Sequence, residues 1–214
     1  GSIRRQRQMC IRDRCVWADT IKRDRPQTRS WHYVNLPEGV SKYSHDHCPA
    51  KGCIVSALLQ QIEIFKNKDA SKRKRKEALK FIGHFIGDVH NPLHIGYLSD
   101  LGGNRLEVEI WNGDKTNMHR LWDGLIPNYA LTKPLMFLDV EKASPIEIGM
   151  SHEERVIYWI NENREILLSD AVGYVARQSF LDQAYFEKNV PIAYYRMSFA
   201  GSRLAYLIEE ILGN

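Results

Sequence analysis

A mainly α fold with one small β-hairpin and long loops is what this sequence predicts. Three observations carry the prediction. Apolar residues recur at helical spacing in several separate stretches, only one short stretch alternates as a strand, and there is no internal repeat or low-complexity tract. Taken in order, Val16 to Lys22 reads as a short helix, with Asp19 and Lys22 three apart on one face. Pro26 and the polar run to Ser30 break it. Trp31 to Pro37, aromatic and β-branched, reads as extended chain. A polar loop through Ser44-His45-Asp46-His47 then leads to a cysteine pair. From Ile54 to Phe65, the positions Ala57, Leu58, Ile62 and Phe65 mark one face of a helix.

Lys66 to Lys76 is the one dense basic run. It reads as a solvated interhelical loop and helix start, with a phosphate-binding surface as the alternative. Glu77 to His90 is the central helix, which Asn91-Pro92 ends or kinks. Ser99 to Asn104 is a glycine turn. It opens Leu106 to Trp111, a short alternating strand that stops at the turn signal Asn112-Gly113. Asn117 to Asp123 returns to helix, and Pro127 and Pro134 flank a loop. His152 to Leu168 is amphipathic, with Val156, Trp159, Ile160 and Leu167 on one side. Further helices follow, the last from about Ile192 to Leu212, striped by Ala193, Met197, Ala200, Leu204, Leu207 and Ile211.

At 214 residues, with 43% hydrophobic and 26% charged residues, the chain suits one soluble domain with a substantial core. No stretch approaches the roughly 20 apolar residues of a membrane span. The net charge of +4 is concentrated at the start, where Arg4, Arg5, Arg7, Arg12 and Arg14 face only Asp13. The rest is balanced, so it lacks the overall basic footprint of non-specific duplex binders, and any nucleic-acid binding must come from a local site. Residues 1–15 are basic, aperiodic and without the apolar core of a signal peptide, and are expected to be an extraneous or damaged leader. Residues 16–214 are then a single domain.

Cys48-Pro49-Ala50-Lys51-Gly52-Cys53 is a tight loop that a disulfide can close, which would imply an oxidising compartment. His45 and His47 make a small zinc knuckle the rival reading, although the opposite half of such a knuckle is absent.

The densest chemistry lies in Phe81 to His94, where His84, His90, His94 and Asp88 interrupt an apolar run. His84 and Asp88 are four apart and share a helix face, and the proline re-aims His94 as a separate arm. Burying imidazole and carboxylate among Phe, Ile and Val is costly without compensation, and a divalent metal is the simplest one. His119 and Asp123 repeat the four-residue spacing on another helix. With Asp19, His32 and His94 they make seven candidate ligands. Zinc accepts imidazole nitrogen and carboxylate oxygen, normally at four positions, so seven candidates imply a multinuclear site.

Trp17-Ala18-Asp19-x-x-Lys22, Trp31-His32-Tyr33, the run His84 to His94, Gly102-Gly103-Asn104, and Asn117-Met118-His119-Arg120-Leu121-Trp122-Asp123 occur in that order. In them the sequence resembles the S1/P1 nuclease family, the zinc-dependent single-strand nucleases and 3′-nucleotidases, from about residue 16 to the C-terminus. Ala200 to Ala205 also resembles that family's last helix. The resemblance implies a mostly helical fold shared with zinc phospholipase C and a three-zinc cluster in a cleft. By position, Asp19, His32, His84 and Asp88 correspond to ligands of one zinc, with Asp88 also bridging to a neighbour. His94, His119 and Asp123 correspond to ligands of a second. Cys48 and Cys53 resemble a family disulfide. Tyr33 sits where the family stacks a base, Asn35 where it reads the base edge, Lys22 near the scissile phosphate, and Asn104 at a substrate contact. His90 is expected to be a non-ligand.

The function so implied is hydrolysis of single-stranded DNA and RNA to 5′-phosphorylated products, with 3′-nucleotidase activity, by metal-bound hydroxide attack on phosphorus. Asp19, Asp88 and Lys22 would be the catalytic groups, in a secreted or periplasmic monomer. The family also uses an N-terminal tryptophan and a nearby Gly-His for its third zinc, and nothing before Asp19 supplies them. The expectation is two complete zinc sites, an incomplete third and impaired activity. A phospholipase-C-like phosphodiesterase and an inert metal-stabilised binding domain are the alternatives.

Overall fold

The computed structural model describes residues 16–132, 149–169, 172–174 and 179–213. The leader assigned to residues 1–15 and the Pro134 end of the expected loop lie outside them. The mainly α expectation holds. Helix α1 (Trp17–Ile21) is followed by a 3-10 segment, Pro26–His32, then by α2 (Ile54–Lys66) and α3 (Lys72–Val89). A further 3-10 turn, Pro92–Ile95, leads to strands β1 (Glu107–Ile110) and β2 (Lys115–Asn117). Helices α4 (Met118–Arg120) and α5 (Ile126–Thr132) are joined by a π-helical turn, Leu121–Leu125. Helix α6 (His152–Leu168), strand β3 (Ser179–Leu181) and α7 (Gln183–Gly213) complete the described chain.

Four details differ from the sequence reading. Trp31 and His32 end the 3-10 segment rather than starting an extended run, and extended backbone begins at Tyr33. Residues after Pro127 are helical: the proline is the second residue of α5, which continues directly from the π turn. The hairpin gains a third strand: β3 pairs parallel to β1, opposite β2. Finally, α7 begins at Gln183 and runs through Pro191, with Ala193, Tyr194, Leu207 and Ile211 buried along it.

Two apolar cores result. The first gathers Ile54, Leu58 and Ile62 of α2, Phe81, Ile82, Phe85 and Ile86 of α3, and Val156, Trp159 and Ile160 of α6. The second packs Val108 and Ile110 of β1 with Leu121, Trp122, Ile126 and Phe186. The Pro92–Ile95 turn straddles the seam: Leu93 enters the second core and Ile95 the first, both fully buried. His94, between them in sequence, is held at the seam.

The loops bordering that seam have little regular structure, and one side chain organises them. Arg164 of α6 is fully buried and donates to the carbonyls of Val40, Ile95 and Gly96 at 3.0, 3.1 and 3.1 Å, and to Pro37 at 3.3 Å. The backbone also pairs directly, with Val34 N–H donating to His94 O and Leu36 N–H to Gly96 O, both at 2.9 Å. Cys48 and Cys53 form a disulfide, and Cys53 N-caps α2. His47 instead accepts from Ser44 N–H, and His45 faces Glu153. The disulfide, not a zinc knuckle, closes the loop.

Candidate metal centre

Helix α1 docks on α3 through Ala18, fully buried, and Trp17, whose ring lies 5.1 Å from Phe81. That contact turns Asp19 toward the face of α3 bearing His84 and Asp88. His32 arrives from the 3-10 segment, its ring edge-on to Phe85 at 5.2 Å. The polar atoms converge tightly. His32 Nδ1 lies 2.9 Å from Asp88 Oδ2 and 3.0 Å from His84 Nε2. His84 Nε2 is 3.1 Å from Asp88 Oδ2 and 3.5 Å from Asp19 Oδ1.

Two imidazole nitrogens facing each other at that distance can share at most one proton, while carboxylate oxygens crowd the same space. The electrostatics follow. Burial works against a charged ring at His84, but Asp88 and Asp19 overcome it and push its pKa up to about 11. Burial would raise Asp88, yet His94, His84 and His32 hold it far below the usual carboxylate range. Burial keeps His32 low despite Asp88. The pocket thus favours positive charge among its carboxylates.

Beyond the proline, His94, His119 and Asp123 form a second group whose ligand-type atoms, like those of Asp19, His32 and His84, all lie within 4.8 Å of one another. His94 Nε2 is 3.0 Å from Asp123 Oδ1. Asp123 sits on the π turn, an element frequently found at functional sites. The tautomers are fixed from behind: His94 Nδ1–H donates to His32 O at 2.9 Å and His119 Nδ1–H to Gly102 O at 2.8 Å. A carbonyl can only accept, so both Nε2 atoms are left facing the group, the arrangement typical of metal-ligating histidines. Asp88 lies beside both groups: its Oδ2 meets His32 and His84, and its Oδ1 is 3.6 Å from His94 Nδ1, the ring nitrogen turned away from the second group. These nitrogen and carboxylate donors fit zinc.

His90 is not part of either group. Its Nδ1–H donates to Ile86 O at 2.6 Å and its Nε2 accepts from Arg203 at 2.8 Å, within a buried network in which Arg196 and Arg203 both bind Glu162.

Both groups open into one cleft of about 570 Å³, which Lys22, Tyr33, Asn35 and Asn104 also line. Lys22 Nζ is 2.6 Å from Asp19 Oδ1. Tyr33 is 38% exposed. Asn35 Oδ1 is buried without a hydrogen-bond partner among the described residues, and Asn104 donates to Leu101 O at 2.9 Å. The sequence reading did not single out Arg29, which lines the same cleft, or Asn91, whose Nδ2–H donates to Asp123 Oδ1 at 3.3 Å. Arg29 carried a signal in its three-residue spacing from His32; Asn91 was visible only as a helix terminator.

The family model for S1/P1 nuclease matches residues 2–213. The chain belongs to the S1/P1 nuclease family. That match begins within the segment set aside as a leader. Among S1/P1 relatives, the chain is 29% identical to endonuclease 2 of Arabidopsis thaliana over 93% of its own length and 77% of the relative's. Endonuclease 4 of the same plant is 30% identical over 94% and 76%. Nuclease S1 of Aspergillus oryzae is 27% identical over 92% and 77%.

Proposed function

We propose that this S1/P1 nuclease is a zinc-dependent phosphodiesterase that cleaves single-stranded DNA and RNA to 5′-phosphorylated products and also acts on 3′-nucleotides. One observation carries the reading: two histidine–carboxylate groups share a cleft, with Asp88 beside both. Asp19, His32, His84 and Asp88 would hold one zinc, and His94, His119 and Asp123 a second. When bound, zinc lowers the pKa of water to about 7 and stabilises charge on a phosphoryl oxygen. Lys22, which lines the cleft beside Asp19, would place its ammonium against the phosphate. Tyr33 offers a stacking face that only an unpaired base can reach, and Asn35 an amide for the base edge. The disulfide supports a secreted or periplasmic setting.

The test is metal analysis and turnover on one preparation, with and without added zinc, against single-stranded DNA, RNA, 3′-AMP and a choline phospholipid. Two zincs per chain and turnover of the three nucleotide substrates are expected. Exclusive turnover of the phospholipid would favour the phospholipase-C-like alternative, against which Tyr33 and Asn35 speak. Stabilisation by zinc with no turnover would leave a binding domain. A third tightly held zinc would refute the two-site expectation.

A further inference from the structure

A second cleft, of about 410 Å³, lies between the Pro26–His32 segment, α2 and the start of α3. It shares a wall with the first. In a 3-10 helix residues three apart align on one face. Thr28 and Trp31 line the second cleft, while Arg29 and His32 line the first. The floor is aromatic, Trp31 and Phe81 meeting edge-on at 5.8 Å. Above it sits Gln61, only 6% exposed, whose side chain makes no hydrogen bond among the described residues. An amide at a cleft wall with no partner among those residues is free to pair with a ligand that enters.

The charge around it is unusual as well. Lys72 to Lys76 are five consecutive cations in the first turns of α3, where the helix dipole disfavours positive charge. Arg25 is committed to Glu77, which neutralises that carboxylate. Lys74 is exposed, lines the cleft and has no anionic partner among the described residues. Polar recognition, an aromatic surface and an uncommitted cation therefore meet one wall away from the metal centre.

We propose that this cleft is a second nucleotide subsite for the substrate strand, with a base against Trp31 and the Gln61 amide and a phosphate on Lys74. The proposal rests on the nuclease reading for its ligand class. Stacking, amide pairing and charge together suit a nucleotide better than a free anion or a peptide carboxylate.

The holoenzyme should be assayed on a long single strand and on a dinucleotide too short to bridge the wall. Gln61→Leu and Lys74→Glu should each raise KM for the long strand about tenfold and leave kcat/KM for the dinucleotide unchanged. Lys74→Glu should also reduce the salt slope of long-strand binding by about 0.7, as loss of one phosphate contact requires, whereas Gln61→Leu should not. Lys74 is exposed, so its variant is informative even where Gln61→Leu melts early. Equal effects on both substrates, or none on either, would overturn the subsite. If the wild type cleaves neither, the nuclease reading fails on its own. Binding of a phosphorothioate strand then decides the subsite: tenfold weakening in both variants supports it, and unchanged affinity rejects it.

Discussion

His94 and His119 lie face to face, their rings nearly parallel, with 6° between planes and 5.0 Å between centroids. Each is pinned through Nδ1 to a main-chain carbonyl on a different segment, His32 and Gly102. Stacking two imidazoles this way is unfavourable when both are charged. Burial and the neighbouring His94 accordingly hold His119 low, while Asp88 and Asp123 overcome burial to raise His94. His94, His119 and Asp123 would hold a dication there, which would remove the conflict.

His94→Ala is therefore expected to lose one of two zincs and abolish cleavage while leaving the helical fold largely intact. Metal content per chain and far-ultraviolet circular dichroism, measured beside turnover, check both halves. Undiminished turnover would count against the assignment.

Gly102 holds the carbonyl that orients His119, at a φ of +63°. A Cβ there would lie 2.7 Å from Leu93 O and 3.0 Å from Asn35 Oδ1. Gly102→Ala should displace both partners and weaken zinc affinity about 10- to 100-fold, the range for loss of an outer-shell contact. Competition with a chromogenic chelator measures it, and wild-type affinity would show that the loop tolerates the methyl group.

Tyr33→Ala should raise KM for a single strand by the equivalent of about 1–3 kcal/mol, with a smaller effect on kcat. Steady-state kinetics on 3′-AMP and on a longer strand separate base stacking from a structural role, because a folding defect would lower kcat on both.

Glu162 gives a pH signature independent of metal. Burial would raise its pKa, but the bonds from Arg203 and Arg196 prevail and hold it below the usual value of 4.5. A depressed carboxylate contributes stability that is fully present above its unfolded pKa and is lost as pH falls through the folded one. Denaturant midpoints should thus drop below about pH 4.5 in the wild type. Glu162→Gln should cost about 3 kcal/mol at neutral pH and flatten that acid limb. An unchanged slope would show that the network is not what titrates.

Much of this was legible in the sequence. His84 with Asp88 and His119 with Asp123 announced themselves through helical spacing, and α6 through its own apolar stripe; the structure adds the Ser151–Glu154 capping box at its start. Asp19 and His32 were different: they stood out as candidate ligands by residue type, but nothing in the local pattern ties a carboxylate on a five-residue helix to His84, and only family resemblance assigned them to one site. Strand β3 was invisible because three residues pairing across such a sequence distance leave no periodicity. Pro191 misplaced the start of α7, since burial of Phe186 and Ala193 on either side outweighs one lost backbone bond. The π turn under Asp123 likewise has no signature in residue spacing.

The four carbonyls gathered by Arg164 have one more implication. That guanidinium does for the loops what a neighbouring strand does in a sheet, and the loops so tethered present His94 and the backbone beside Asn35. Damaging substitutions should therefore accumulate on α6, a helix that donates nothing to either ligand group, and a screen scored only by proximity to the cleft would overlook them.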